Sequence, residues 1–289
     1  LWGAKTMLVF GGFSADKVSR YFNDLWLYDT EAEAWSQPPP AETSPDPATG
    51  LPTLKRPWPG VPQPRGAHES TLVGGSRLYV FGGYDGSYRA DFHTFNFTTS
   101  AWGQVSTVGR APRARYRATC VVHQKTMYLF GGHDGTRHLN DVHVFDFSAR
   151  AWSAMQADGP APIPRDSHVA VAHGGSMFVF GGSTGSAMND FHELRLEAKC
   201  WAPVQASGYA PGHRFCHVAV THKDSLYVFG GYDIAKRASV SSIYATSMDM
   251  SPKQEWMLIG EMSKSYRIPN VALLPDVFTS DCDRSRGTR

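Results

Sequence analysis

The 289-residue chain suits one large all-β domain or two ordinary domains, and its 28 glycines, 19 prolines and 12% aromatic residues favour short strands joined by tight turns. Its 28 Lys and Arg residues nearly balance its 26 Asp and Glu residues, so the charge gives no indication of nucleic-acid binding. No apolar run approaches the roughly 20 residues of a membrane-spanning helix, and the first residues lack the pattern of a secretory signal. We therefore expect neither a nucleic-acid partner nor a membrane span.

A repeated tripeptide, Phe-Gly-Gly, organises the chain. Its five phenylalanines are separated by 71, 49, 50 and 49 residues, and a tryptophan follows each copy. The glycine pairs are Gly11 and Gly12, Gly82 and Gly83, Gly131 and Gly132, Gly181 and Gly182, and Gly230 and Gly231; the tryptophans are Trp35, Trp102, Trp152, Trp201 and Trp256. A fixed period of this length indicates stacked structural repeats.

Each repeat has the hydrophobic pattern of four short strands. In the third copy we predict strands at 115–123, 126–130, 141–147 and 151–155. In chain order the predicted segments are a repeat within 1–36, a proline-rich loop at 37–64, repeats at 65–105, 115–156, 165–205 and 214–260, a strand at 266–274 and a basic tail at 276–289. Residues 1–275 form the predicted domain.

A four-stranded sheet with two apolar faces must pack against neighbouring sheets, and radial stacking of such sheets makes an all-β propeller of antiparallel blades. We expect the glycine pairs to permit close approach of the backbone near the central axis, and the tryptophans to fill the space between adjacent blades. Two arrangements are open. The strand at 266–274 completes the first blade of a five-bladed ring, or the chain is part of a six-bladed ring.

The five glycine pairs and their tryptophans resemble those of kelch-repeat propellers. Further kelch-like features are the Asn-Asp pairs at 23–24, 140–141 and 189–190, and an arginine that opens each first strand. These arginines are Arg65, Arg115, Arg165 and Arg214, with Arg267 as a fifth. The loop sequences also resemble those of leucine-zipper-like BTB-kelch regulators. The resemblance implies a protein-interaction scaffold or adaptor.

Catalytic and metal-binding patterns are not evident. His133, His138 and His143 recur every five residues, but the first two lie in a predicted loop and the third on a strand, so they share no face. The sequence has no set of Tyr, His and Cys ligands like that of the kelch-like copper oxidases, and its Asp281-Cys282-Asp283 tail is too short to indicate a specifier protein. We expect no catalytic residues, no metal, no cofactor and no enzymatic activity, with a propeller enzyme as the alternative.

The four cysteines form no CxxC pair, which indicates free thiols and a cytoplasmic or nuclear location. The loop at 37–64 holds ten of the 19 prolines and interrupts the repeat. Within it, residues 56–62 have the RxxPxxP spacing of a ligand for a Src-homology-3 domain, although an inert exposed loop is the simpler interpretation.

The loops after the glycine pairs vary between repeats while their frame is constant, so they are the predicted partner-binding surface. They are rich in aromatic, Arg and Asp residues, which are typical of binding hot spots. The predicted site residues are Tyr84, Asp85, Arg89, His133, Asp134, Arg137, Tyr232, Asp233 and Arg237. The strand-opening arginines either point to the same mouth of the channel or pair with carbonyls and acids between blades. We expect a protein or peptide partner, with an acidic peptide as one form, and a ubiquitin-ligase substrate receptor as an alternative role.

Overall fold

The structure, a computed structural model, describes residues 5–14, 20–38, 60–248 and 254–262. Every regular element in these residues is a β-strand. The predicted strand at 266–274, Arg267, the tail at 276–289 and most of the loop at 37–64 lie outside the described residues. Closure of the ring by the strand at 266–274 therefore stays a prediction.

Five successive antiparallel sheets correspond to the five repeats. Blade I has three strands in the described residues, β1 (Thr6–Ser14), β2 (Arg20–Asp29) and β3 (Ala34–Ser36). Blade II consists of β4 (Glu69–Val73), β5 (Arg77–Phe81), β6 (Phe92–Asn96) and β7 (Ala101–Gln104). Blade III consists of β8 (Val108–Gly109), β9 (Thr119–His123), β10 (Thr126–Phe130), β11 (Val142–Asp146) and β12 (Ala151–Met155).

The last two blades follow the same order. Blade IV consists of β13 (Val169–His173), β14 (Ser176–Ser183), β15 (Ala187–Arg195) and β16 (Cys200–Pro203). The sheet of blade V consists of β17 (Ser207–Gly208), β19 (Val218–His222), β20 (Ser225–Phe229), β23 (Ser242–Ser247) and β24 (Glu255–Glu261). Three short strands of the same repeat, β18 (Arg214–Phe215), β21 (Tyr232–Asp233) and β22 (Ala238–Ser239), pair in series and extend the sheet of blade IV from β15. Blades II to V each contain four antiparallel strands, so the described residues form an all-β propeller with four complete blades.

The short strands β8 and β17 were not predicted. Each pairs in parallel with the outermost strand of its blade, β8 with β12 and β17 with β24. The connection from one blade therefore runs along the outer edge of the next. The strand predicted at 115–123 begins only at Thr119, because Arg117 has a φ of 53° and interrupts the extended backbone.

The glycine pairs lie where adjacent blades meet. The amide of Gly132 donates to the carbonyl of Arg165 at 2.9 Å, and the amides of Gly83 and Gly12 donate to the carbonyls of Arg115 and Arg65 in the same way. A Cβ on Gly131 would lie 2.9 Å from the Arg165 carbonyl oxygen, and Gly131 has a φ of 67°. Any side chain there would force the two blades apart.

In blades II to V the tryptophan of the repeat lies between adjacent blades. Each of these tryptophans is buried and packs on the phenylalanine that precedes the glycine pair of the previous blade. The ring pairs are Trp102 with Phe10, Trp152 with Phe81, Trp201 with Phe130, and Trp256 with Phe180, at centroid distances of 4.8, 5.5, 5.1 and 5.1 Å. Trp35 of blade I differs, since it is 52% exposed and stacks on Tyr28 of its own sheet.

Candidate protein-binding surface

Two residues of each blade from II to V meet at one end of the propeller, which we call the upper face because it carries the glycine pairs. One follows the strand-opening arginine and the other follows the glycine pair. Their backbones pair as Gly66 with Tyr84, Tyr116 with His133, Asp166 with Ser183, and Phe215 with Tyr232. The position after the arginine was missed in the sequence analysis, although its fixed spacing from the arginine identifies it in every repeat.

Seven aromatic rings form a continuous aromatic strip across the upper face of blades I to III. Successive centroid distances range from 4.9 to 6.4 Å. The strip consists of Phe13, Tyr21, Tyr84, Tyr88, Tyr116, His133 and His138. The structure therefore brings together Tyr84 and His133, which were both predicted site residues. The other five rings of the strip were not among the predicted site residues.

The strip is accessible while its rings are held in place by one another. Phe13 is 51% exposed and Tyr88 is 36% exposed, whereas the remaining rings are half-buried. Burial raises the pKa of Tyr116 and of Tyr21, so both hydroxyls remain neutral at physiological pH and can donate hydrogen bonds. Such a surface offers large apolar area with polar tips at little cost in side-chain entropy.

Charged groups border the strip on its blade IV side. The guanidinium of Arg117 lies 4.9 Å from the centre of the Tyr116 ring. The Asp166 carboxylate lies 3.2 Å from His138 Nε2 and 4.0 Å from the Arg117 guanidinium. It therefore links blades III and IV. Arg137 is exposed beside this cluster, with its side chain 66% accessible.

The three predicted aspartates Asp85, Asp134 and Asp233 shape the loops. Asp134 accepts hydrogen bonds from the backbone amides of Thr136 and Arg137, both at 3.0 Å. Asp85 and Asp233 accept from amides two or three residues further along in the same way. Burial acts to raise the pKa of Asp134, but these bonds and that from the Thr136 hydroxyl hold it below its usual range. These carboxylates therefore fix the loop conformation.

The remaining predicted site residues are divided between the strip and blade V. Arg89 is paired with Asp85, its Nε lying 2.9 Å from the carboxylate. Tyr232 packs on Phe215 at 5.5 Å, and Arg237 is exposed in the same blade. Because blade IV presents Asp166 and Ser183 between blades III and V, the aromatic strip ends before blade V.

The strand-opening arginines are buried in the blades, which corrects their inclusion among the possible binding residues. Arg65, Arg115, Arg165 and Arg214 are at most 1% exposed. Arg165 is typical of the first three. Its two terminal nitrogens lie 2.6 and 2.7 Å from the Asp190 oxygens, and Nη1 also donates to the Gly181 carbonyl at 2.9 Å. Of the two options that the sequence left open, these arginines therefore follow the second, in which they pair with carbonyls and acids.

A histidine completes this buried group in three blades. His192 Nε2 lies 2.9 Å from Asp190, and His93 and His143 contact Asp91 and Asp141 in the same way. Burial acts to raise the pKa of Asp190, but hydrogen bonds from Arg165 and His192 outweigh it and hold that pKa below its usual range. The carboxylate therefore stays ionised and neutralises the buried arginine.

Blade V replaces this Asp and His by Ser242 and Tyr244. The Arg214 guanidinium lies 4.9 Å from the centre of the Tyr244 ring, and within the described ranges no carboxylate forms an ion pair with it. Burial lowers the pKa of Arg214, which is consistent with a cation that lacks a direct counter-ion.

The histidines that lie three residues after the strand-opening arginines have structural contacts. His217 is buried, and its Nε2 donates to the Phe180 carbonyl at 3.2 Å. His168 Nε2 lies 2.7 Å from the Thr119 hydroxyl instead. Burial, reinforced by the charge of Arg214, lowers the pKa of His217 to about 3, and burial lowers that of His68 to about 4.

Acid should therefore destabilise the fold before the carboxylates titrate. An unfolded histidine takes up a proton near pH 6.5, whereas folded His217 does so only near pH 3. The contribution of neutral His217 to the free energy of unfolding is therefore complete above pH 6.5 and is lost as the pH falls. At pH 5 the free energy of unfolding is lower by about 2 kcal/mol for this reason. The glutamine of His217→Gln does not titrate, so the variant lacks this loss. The difference in free energy of unfolding between the wild type and the variant, measured by urea denaturation, should therefore be smaller at pH 5 than at pH 7 by that amount. An unchanged difference would contradict the expectation, and His213→Gln, at an exposed histidine, is the control.

The predicted histidine triplet is divided between two environments. The His133 and His138 rings lie 4.9 Å apart in the aromatic strip, whereas His143 is buried against Asp141. Within the described ranges, no three His, Cys, Asp or Glu side chains are grouped so that they could hold a metal ion. The same residues include no helix that is long and apolar enough to span a membrane.

Comparison with protein families gives two matches. A family described as "KLHDC2/KLHL20/DRC7 Kelch-repeats domain" matches residues 54–231, and one described as "Kelch motif" matches residues 5–41. Together they include all five glycine pairs, and the first alone covers more than half of the chain.

Several curated proteins are similar to part of the chain. They include the leucine-zipper-like transcriptional regulator 1 homolog of Drosophila melanogaster (29% identical over 47% of this chain), kelch domain-containing protein 3 of Homo sapiens (30% over 44%) and the Rab9 effector protein with kelch motifs of Rattus norvegicus (32% over 46%). The matched regions make up 13%, 31% and 32% of those proteins. The similarity therefore concerns a part of each of those proteins and not their full length.

Proposed function

Because the chain belongs to the kelch-repeat family, we propose that it is a non-enzymatic interaction module whose aromatic strip binds a segment of a partner protein. The continuous set of seven rings on the upper face carries this proposal. Partly exposed aromatic residues that are already held in place supply most of the binding energy in many protein interfaces. Kelch relatives, one of them named as an effector protein, support a role as adaptor or scaffold.

The chemistry of the strip indicates the kind of segment that would bind. Apolar or aromatic side chains would lie on Tyr84, Tyr88 and Tyr116, whose hydroxyls can donate to backbone carbonyls. An acidic residue in the segment would find Arg137 at the edge of the strip, where no strong ion pair already occupies its guanidinium, since Asp134 is 3.9 Å away. The near balance of charge over the chain supports a protein rather than a nucleic acid as partner.

The proposed location is the cytoplasm or the nucleus. Cys120, Cys200 and Cys216 are free thiols in the structure, which agrees with a reducing compartment. A substrate-receptor role in a ubiquitin ligase would use the same strip. It would differ only by an adaptor-binding domain elsewhere in the full-length protein, so the complete open reading frame discriminates between the two roles.

The strip can be tested by comparing partner capture between variants. Tyr84→Ala combined with Tyr88→Ala removes two central rings, and each truncation of a hot-spot aromatic should weaken binding by at least about tenfold. Quantitative mass spectrometry of proteins captured from a lysate should show a set that is lost with this variant. The same set should be retained with Tyr209→Ala, because Tyr209 is 80% exposed and lies outside the strip.

The thermal midpoint of both variants should stay close to that of the wild type, since the altered rings lie at the surface. Retention of the whole captured set by the double variant would show that the strip is not the binding surface. Elemental analysis of the purified protein tests the non-enzymatic part of the proposal, because a metal-dependent propeller enzyme would contain a stoichiometric metal.

A further inference from the structure

A second candidate site lies between blades II and III, near the end of the propeller opposite to the upper face. It is a cavity of about 280 Å³, and we call it the inter-blade pocket. The side chains that define its chemistry are Arg77, Tyr79, Thr94, Phe145, Phe147 and Arg150. This volume is close to the lower limit of pockets that hold small ligands.

The floor of the pocket is aromatic and comes from both blades. Tyr79 of β5 packs on Phe147, which follows β11, with ring centroids 4.8 Å apart. Phe145 meets Phe147 edge to face at 5.3 Å. A flat apolar group could therefore lie against rings that are already fixed in place.

Two arginines, Arg77 and Arg150, also line the pocket. Arg77 and Arg150 are exposed, and in the described part of the chain neither guanidinium has a hydrogen bond or an ion pair. None of the described carboxylates lines the pocket. By contrast, Arg65, Arg115 and Arg165 are all held by aspartates. The pocket therefore has charge complementarity to an anion.

A buried polar atom in the pocket also lacks a partner. The hydroxyl oxygen of Thr94 is shielded from solvent and makes no hydrogen bond with the described residues. A buried hydroxyl without a partner is costly, and within the described residues blade II provides none for this one.

The corresponding position in blade IV shows how a repeat satisfies these groups internally. Ser176 stands where blade II has Arg77, and Glu193 stands where it has Thr94. The Ser176 hydroxyl donates to Glu193 at 2.6 Å, so blade IV needs no external partner there. The first residue of the same strand is Thr126 in blade III and Ser225 in blade V, so among blades II to V only blade II places a cation at this point.

We propose that the inter-blade pocket binds an aromatic ring bearing an anionic group, with an aryl phosphate as the ligand chemistry. The ring lies on Tyr79 and Phe147, and the phosphate oxygens accept from Arg77 and Arg150. Arginine suits this role because its planar fork donates two parallel hydrogen bonds to a phosphate. The ligand is either a free aryl phosphate or a phosphotyrosine side chain of a partner protein.

The test is a ligand-detected NMR titration with phenyl phosphate, inorganic phosphate and phenol. Phenyl phosphate should bind more tightly than either fragment, since only it fills both parts of the pocket. Arg77→Ala and Arg150→Ala should each weaken its binding by at least about tenfold, as expected for loss of a charged hydrogen-bond donor.

Arg110→Ala is the matched control, because Arg110 is an exposed arginine outside the pocket. Two results would overturn the proposal. One is that phenyl phosphate binds no more tightly than inorganic phosphate, and the other is that Arg77→Ala and Arg150→Ala bind phenyl phosphate as tightly as the wild type. Tighter binding of a phosphotyrosine peptide than of phenyl phosphate identifies a protein source, and equal binding identifies a free ligand. Tyr84→Ala with Tyr88→Ala should leave this titration unchanged, so the result is independent of the aromatic strip.

Discussion

Replacing Arg165 by methionine is expected to lower the free energy of unfolding by about 3 to 5 kcal/mol, because it leaves Asp190 partly buried without its counter-ion. Both Asp190 oxygens are bonded to Arg165 at 2.6 and 2.7 Å, and the Arg165 side chain is fully buried. Methionine retains most of the apolar volume, so the loss reports mainly the electrostatic pairing. Urea denaturation at pH 7 provides the measurement.

Arg214→Met is the matched control within the same protein. Arg214 has the same buried position and the same bond to a glycine carbonyl, Gly230 at 2.9 Å, but in the described residues no aspartate pairs with it. Its loss leaves carbonyls and the Tyr244 hydroxyl unpaired and should cost only about 1 to 3 kcal/mol. Equal losses for the two variants would show that the ion pair with Asp190 adds nothing to stability.

Truncating Trp152 to alanine is also expected to cost about 3 to 5 kcal/mol, because it opens a cavity between blades II and III. Trp152 is 2% exposed and lies 5.5 Å from Phe81 of the preceding blade and 4.9 Å from Phe145 of its own. The packing of adjacent blades depends on this contact. Thermal and urea unfolding of the variant would measure the loss.

The first repeat offers the comparison, since Trp35 has the same place in the repeat but is 52% exposed. Trp35→Ala should cost clearly less than Trp152→Ala, on the order of 1 kcal/mol, because less apolar surface returns to water. A loss as large as that of Trp152→Ala would mean that Trp35 is packed against a further part of the protein in solution. The result therefore also bears on how the ring is closed.

Local pattern was sufficient to predict the blades. The strand predicted at 126–130 matches β10, and that at 151–155 matches β12, because alternation and the flanking turns specify short antiparallel strands. The strand predicted at 115–123 was too long at its start. Its first four residues are taken up by the buried arginine and a residue with positive φ, Arg117, whose conformation depends on contacts with neighbouring blades.

The candidate site was predicted only in part, because its members come from different blades. Tyr84 and His133 were found, since they stand in the variable loops. Tyr116 was missed, because it follows a strand-opening arginine and reaches the strip only through its pairing with His133. Tyr21 is 63 residues from Tyr84 in the chain, yet their rings lie 6.0 Å apart.

The sequence by itself determined the repeat, the all-β class and the kelch family, because glycine pairs and tryptophans at a fixed period record what each blade needs locally. Only the tertiary structure decided which arginines are buried. An arginine in a variable loop and one at the start of a strand look alike in sequence. Burial depends on tertiary contacts, which are an aspartate about 25 residues away for Arg165 and the Tyr244 ring for Arg214. The same holds for the aromatic strip and the inter-blade pocket, which exist only where separate blades meet.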